Sequence, residues 1–324
     1  MTTLTRRATL GGLLTASSTG FARAADWPER PVAWYLPFPA GGPTDIFARP
    51  IATHVGKRLG QTMVIDNRSG AGGTLAAAAA ARAAPDGYTL LVGYTGHTYA
   101  PMLYPKAGYD FARDFAPISA FGRVSQVLVI NPARLDIATL AQFLDAARKK
   151  PEAVSMASAG LGTVPHLALE ALQTRAGVRF NHVPYRGSAP AMQDLLAGQV
   201  DALFTPVSAV VSYVRSGKLR ALAVAARRPE RQLPDVPTFS DAGLADFRTT
   251  SWYGLFAPRR TPAPILDRLH AAVQAALAED DVKKVWAEQG AHVELESRAD
   301  FTNFVALEIE RWSRTARAAN VQME

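Results

Sequence analysis

The chain has 324 residues, 48% of them hydrophobic, with 35 Lys and Arg against 28 Asp and Glu and no cysteine. That length favours two domains over one, and the missing Cys excludes disulfides, thiol nucleophiles and Cys-ligated metals. The net charge of +7 is spread out, with short runs only at Arg148-Lys149-Lys150, Arg227-Arg228 and Arg259-Arg260, so it reads as solvated helix ends and loops, not as a nucleic-acid face.

Residues 1–24 read as an export signal. Arg6 and Arg7 are followed by a modest apolar stretch from Leu10 to Phe21 and by Ala22-Arg23-Ala24, a small-x-small cleavage site. The Arg pair is compatible with twin-arginine export, and the ordinary secretory route fits equally well. Cleavage near Ala24 would remove Arg6, Arg7 and Arg23, leave an excess of +4, and place the mature protein in the periplasm.

Beyond residue 24, short β-type runs alternate with helical ones, the pattern of parallel α/β sheets. Val32–Leu36 predicts a strand. Thr44–Leu59 predicts a helix, with Ile51, Val55 and Leu59 at i+4 spacing, Gly60 as its stop and Pro50 awkwardly inside. Thr62–Asp66 predicts a strand, Thr74–Ala83 a helix, Pro85-Asp86-Gly87 a turn and Tyr88–Val92 a strand. The alternation then restarts with strands at Gln126–Ile130, Val154–Ala157, Phe180–Val183, Val200–Phe204 and Leu219–Ala225. Helices are predicted between them at Thr139–Lys149, Val164–Arg175, Ser188–Ala197 and Val207–Ser216. Ser251–Phe256 predicts a last strand, and 263–279, 281–289 and 299–319 three helices.

The middle block is a complete set of βα units, whereas the first lacks helices to cover its sheet. The C-terminal helices could supply them if the chain leaves one domain, builds a second and returns. This gives a first domain of residues 25–122 and 249–324 and a second of 123–248, with two crossings as the hinge and the crevice as the default ligand site.

Three glycine-rich loops join strands to helices: Phe38-Pro39-Ala40-Gly41-Gly42-Pro43-Thr44-Asp45, Asn67-Arg68-Ser69-Gly70-Ala71-Gly72-Gly73-Thr74, and Ser158-Ala159-Gly160-Leu161-Gly162-Thr163. At such junctions the free N–H groups and dipole of a helix start favour an anion. None is a P-loop or dinucleotide fingerprint. The six histidines include no His-x-x-x-His pair, so no metal site is expected, and no cofactor either. No Gly-x-Ser-x-Gly elbow occurs. Asp45 reads as a ligand contact or helix-start cap and Asp201 as structural. His97 and His166 could line the cleft or serve structure, and Arg186 could pair with a carboxylate or be solvated.

The motifs of residues 37–45, 67–73, 84–90 (Ala-Pro-Asp-Gly-Tyr-Thr-Leu), 114–118 (Asp-Phe-Ala-Pro-Ile), 157–167, 182–187 (His-Val-Pro-Tyr-Arg-Gly), 217–224, 233–238 and 252–258 (Trp-Tyr-Gly-Leu-Phe-Ala-Pro) extend over essentially the whole mature chain. Together they resemble the Bug-type solute receptors, the extracytoplasmic binding components of tripartite tricarboxylate transporters. The resemblance implies a type II periplasmic-binding fold of two α/β domains joined by two crossing strands, acting as a monomer, not an enzyme. It implies a small organic acid as ligand, whether di- or tricarboxylate, amino dicarboxylate or aromatic, and delivery to membrane permease subunits. It also implies a pincer of the first and third loops, so the expected ligand-binding residues are Phe38, Ala40, Gly41, Gly42, Thr44, Asp45, Thr95, Ser158, Ala159, Gly160, Thr163, His166, Tyr185 and Thr205. One departure stands out: where the family often carries Asp-Asn-Leu-Pro-Ser, this chain has Thr205-Pro206-Val207-Ser208. A sensory receptor signalling to a membrane kinase is the alternative. A hydrolase or lyase using Ser158, His166 and Asp45 is a more distant one.

Overall fold

A computed structural model describes residues 27–104, 106–291 and 296–318. The export-signal reading at 1–24, His292 and the end of the last predicted helix at 319 lie outside the described residues.

In chain order the elements are β1 (Val32–Leu36), α1 (Pro43–Leu59), β2 (Met63–Asn67), α2 (Thr74–Ala81), β3 (Thr89–Tyr94), the short helices α3 (Ala100–Leu103) and α4 (Phe111–Asp114), and the long strand β4 (Phe115–Ile130). There follow α5 (Leu140–Lys149), β5 (Ser155–Ser158), α6 (Val164–Ala176), β6 (Asn181–Pro184), α7 (Ser188–Leu196), β7 (Ala202–Pro206), α8 (Val211–Arg215), β8 (Arg220–Val224), β9 (Thr250–Pro258), α9 (Ala263–Leu277), α10 (Asp280–Glu288) and α11 (Arg298–Ala318).

Local chemistry accounts for most boundaries. Pro43 opens α1, where a missing N–H costs nothing, and Gly60 closes it in the left-handed region at φ 72°. Pro50 stays inside the helix, whose Phe47, Ile51 and Val55 are fully buried; packing of that face outweighs one lost hydrogen bond. Thr139 and Gln142 form a capping box at the start of α5.

The first lobe's sheet has the order β2-β1-β3-β9-β4, with β1 parallel to β2 and β3, and β9 antiparallel to both neighbours. In the second lobe β5 lies parallel between β6 and β7, and β4 is antiparallel to β7 and β8. Strand β4 belongs to both lobes. Phe115 to Ser125 pair with β9, and Gln126 to Ile130 with β7 and β8. Val124 faces Ser251 and Ser125 faces Thr250, so the outgoing and returning strands run side by side at the crossing. This is the expected fold of two α/β lobes joined by two crossing strands.

The C-terminal helices cover the first lobe. Trp286 of α10 donates through Nε1 to the Phe121 carbonyl (2.8 Å). On α11 a single carboxylate oxygen, Glu308 Oε2, accepts from Trp252 Nε1 (3.0 Å) and Trp312 Nε1 (2.9 Å), with all three residues buried.

Besides the short helices α3 and α4, which the sequence does not predict, two segments differ from the sequence expectation. Residues 115–125 form strand where none was predicted. Nearly every residue there is buried, so no period-2 alternation exists, and Pro117 and Gly122 sit beside two register shifts in the ladder with β9. The helix predicted at 207–216 splits into a 3-10 turn, Val207–Ala209, and the short α8; four valines crowd this stretch and weaken helical continuity.

Candidate functional site

Where the lobes meet, Phe38, Pro43, Thr44, Tyr94, Ala159, Thr163, Pro165, Ser188, Pro206, Ser251 and Tyr253 enclose a narrow cavity of about 20 Å³. That is on the order of the room for one water, so a larger ligand needs the lobes to part. Three helices begin at its wall: α1 at Pro43, α6 at Val164 and α7 at Ser188. Their positive ends face the same space, which favours a negatively charged group. Thr44 adds a hydroxyl that is 1% exposed and has no hydrogen-bond partner. An unsatisfied buried hydroxyl is costly, and a ligand oxygen would relieve it.

Four of the fourteen expected ligand residues line this cavity: Phe38, Thr44, Ala159 and Thr163. The rest of the first loop holds its own shape. Gly41 and Ala40 are exposed, and Gly42 is buried as the residue preceding α1. Asp45 is turned away: its Oδ2 accepts from Gly41 N (3.1 Å) and Arg49 Nε (2.8 Å), and Asn67 Nδ2 donates to its Oδ1 (3.4 Å). Burial pushes the Asp45 carboxyl up, but the hydrogen bonds from Arg49, Gly41 and Asn67 outweigh it and hold it below its ordinary value. Asp45 is therefore a fixed anion that closes the loop.

The third loop rests on two histidines. Gly160 N donates to Ser158 Oγ (3.2 Å), which lies 2.7 Å from His182 Nε2, and Gly162 N donates to His166 Nδ1 (3.1 Å). The two imidazoles stack with centroids 4.5 Å apart. Thr163 Oγ1 donates to the Gly160 carbonyl (2.7 Å). Ser158 and His166 thus shape the loop from below without lining the cavity. Tyr185 donates to Asp194 Oδ2 (2.6 Å) and borders an outer groove with Gly160 and Arg186. Thr95, fully buried, accepts from Trp252 N (2.9 Å) and ties β9 to the loop after β3.

Burial lowers the pKa of His166 and His182 from 6.5 to about 4, and the neighbouring His182 adds to the effect on His166. A depressed histidine pKa means that the unfolded chain binds protons more readily than the folded one between those values. Stability from this pair is therefore complete above pH 6.5 and lost as the pH falls towards 4. Urea midpoints measured from pH 7 to 4 should fall through that window, and the fall should be shallower in a His166→Gln variant.

The back of the cavity lies at the crossing strands. Gln126, paired across the ladder with Pro206, donates through Nε2 to Ser251 Oγ (2.9 Å), while its Oε1 has no partner. Thr205 precedes Pro206 and Ser208 follows it by two residues; neither lines the cavity, and their buried hydroxyls are also unpartnered. The sequence expectation names Thr205 as a ligand residue and marks the segment through Ser208 as a departure, but it names neither Ser251 nor Tyr253. The last two stand two apart on β9, so strand periodicity puts them on one face.

The family model described as "Tripartite tricarboxylate transporter family receptor" matches residues 47–321. The chain belongs to this receptor family. The receptor is 35% identical to the protein BugT of Bordetella pertussis, over 96% of each chain. It is similar in structure to the periplasmic binding protein BugD, at 34% identity and a TM-score of 0.88, covering 92% of this chain and all of that one. It is also similar to MatC from Rhodopseudomonas palustris with bound malate, at 38% identity and a TM-score of 0.85, covering 89% and 99%. These are substrate-binding proteins, and the receptor is one of them, not an enzyme. Among the described residues no cluster of three His, Cys, Asp or Glu could hold a metal, and no helix is long and apolar enough to cross a membrane.

The receptor's two lobes also touch outside the cavity. Tyr104 Oη of the first lobe donates to the Leu161 carbonyl of the second (2.6 Å). A Cβ on Gly72 would stand 2.8 Å from that same carbonyl, and one on Gly187 would stand 2.8 Å from Pro39 Cδ. Behind this rim, Tyr99, Leu103 and Trp312 of the first lobe bury against Val164 and Leu167 of α6.

Proposed function

We propose that this receptor is exported to the periplasm, closes on a small organic acid between its lobes and delivers it to the permease of a tripartite tricarboxylate transporter. The observation that carries this reading is the unpartnered Thr44 hydroxyl in a cavity faced by three helix N-termini. We place the moving bodies at residues 25–122 with 249–324, and 123–248, acting as a monomer. Of the expected ligand residues, Thr44 and Thr163 are assigned direct contact, with Phe38 and Ala159 as packing surfaces. Gly41, Gly42, Asp45, Ser158, Gly160 and His166 are assigned to holding the two loops in shape. That MatC binds malate supports a carboxylate ligand.

The test is a thermal-shift screen of di-, tricarboxylic and aromatic acids. A ligand at a hundred times its dissociation constant should add about 2.7 kcal/mol of stability. A Thr44→Val variant should bind that acid about tenfold more weakly by calorimetry, yet be no less stable when empty, because it removes an unsatisfied group. A screen with no shift for any acid would sink the proposal.

A further inference from the structure

The first lobe's sheet ends at β2, which pairs with β1 on one side and, among the described residues, with no strand on the other. The Thr62 carbonyl accepts from Val32 N (2.9 Å) and Arg68 N donates to the Leu36 carbonyl (2.8 Å), so Thr62 and Arg68 face β1. Strand alternation then turns the N–H and C=O groups of Met63 and Ile65 outward. Beside that edge runs an open groove of about 710 Å³, with Arg49, Gly56 and Lys57 of α1 on one wall and Met63 and Ile65 on the other. A Cβ on Gly56 would stand 2.9 Å from the Gln61 carbonyl, so glycine lets α1 lie close to the turn that leads into β2. The common protections of a sheet edge are missing. Residues 63–67, Met-Val-Ile-Asp-Asn, include no Pro or Lys, their register with β1 is unbroken, and Val64 is 46% exposed.

We propose that this groove docks an extended acidic segment of a partner protein, which pairs with β2 and becomes the next strand of the sheet. Main-chain bonds to an open edge give affinity, and the side chains beside it select the sequence. The selecting groups here are cations. Lys57 is exposed and, among the described residues, forms no ion pair. Arg49 gives Nε to Asp45 and Nη2 to Asn67, yet half of its side chain stays exposed. No carboxylate lines the groove, because Asp45 is held by Arg49, Gly41 and Asn67, and Asp66 by Arg68. Lys57 also borders a smaller hollow with His54, Arg58 and Glu279, where one acid meets two cations. Arg49 and Lys57 lie eight residues apart on α1, about 12 Å along its axis. An extended strand covers that distance in about four residues, and residues four apart share a face. The fitting segment therefore carries Asp or Glu at i and i+4, with a small apolar side chain between them over Gly56 and Ile65. A second copy of β2 fits poorly: its acid, Asp66, is paired with Arg68, and it would bring its own Arg49 and Lys57 alongside. None of the groove residues lines the interlobe cavity, so docking leaves the ligand site free.

The experiment is fluorescence anisotropy on the receptor with a labelled peptide built on Glu-Thr-Val-Thr-Glu, compared with the same peptide carrying Lys in place of both Glu residues. The Glu peptide should bind at least about tenfold more tightly than the Lys peptide, and Lys57→Glu should weaken it by about tenfold or more. Ile65→Pro removes an outward N–H without touching the β1 ladder and should also weaken it by about tenfold, with urea unfolding as the control for folding. Lys57→Glu changes an exposed helix position and reports independently of how β2 tolerates proline. With the Glu peptide bound, hydrogen exchange at the Met63 and Ile65 amides should slow. Equal binding of the two peptides, binding unchanged by Lys57→Glu, or Met63 and Ile65 amides left unprotected would overturn the proposal. A dimer in sedimentation that shields the same amides would assign the edge to a second copy of this chain and overturn it as well.

Discussion

Gly72→Ala should weaken binding of the receptor's organic acid by about 10- to 100-fold while leaving the empty protein folded. Gly72 sits at φ 59°, ψ 25°, where alanine is strained by only about 1–2 kcal/mol. The larger effect lies across the lobe boundary. The new Cβ would meet the Leu161 carbonyl at 2.8 Å and Tyr104 Oη at 3.2 Å, and the carbonyl is backbone that cannot swing aside. The closed arrangement then becomes a minor population, and apparent affinity falls by the fraction lost. Calorimetry gives the affinity and urea unfolding of the empty protein the control. Tyr104→Phe removes the hydrogen bond to the same carbonyl without adding bulk, and should cost only about three- to tenfold. Equal affinity in wild type and Gly72→Ala would mean that the bound state does not bring these loops together.

Glu308→Ala should destabilise the protein by about 2–5 kcal/mol, because it orphans two buried indole N–H groups at once. Glu308→Gln keeps an acceptor and should recover more than half of the loss. Urea midpoints measure both. The effect should also reach the ligand: Trp312, held by this carboxylate, packs with Tyr99 against Val164 and Leu167. A loosened Trp312 should weaken closure, so the Ala variant that remains folded should bind its acid less tightly than wild type.

The fold was legible where side chains alternate or glycine punctuates. Ile51 and Val55 marked α1, and the loops at 38–45 and 158–163 led to two of the three helix starts that face the cavity. The strand at 115–125 was hidden because burial on both faces removes alternation, and Pro117 and Gly122 look like breakers. Part of the site was hidden for a different reason. Ser251, Tyr253 and Pro206 reach the cavity only because β9 and β7 run to the crossing, a property of topology that no local motif carries. Asp45 reads from the sequence as a ligand contact or a helix-start cap, and its three hydrogen bonds, from Gly41, Arg49 and Asn67, are to the loop and helix around it.

The position of β9 has a consequence for how the molecule is assembled. β9 lies between β3 and β4, with Tyr94 facing Tyr253 and Val124 facing Ser251. Its partners are therefore made long before it, and the whole second lobe is synthesised in between. The second lobe can complete its own ladders from contiguous chain, apart from the shared β4. The first lobe's sheet stays split until the returning segment arrives, and such long-range closure is slow. Until then β3 and β4 present open edges, which is the interval in which the chain is most exposed to mispairing.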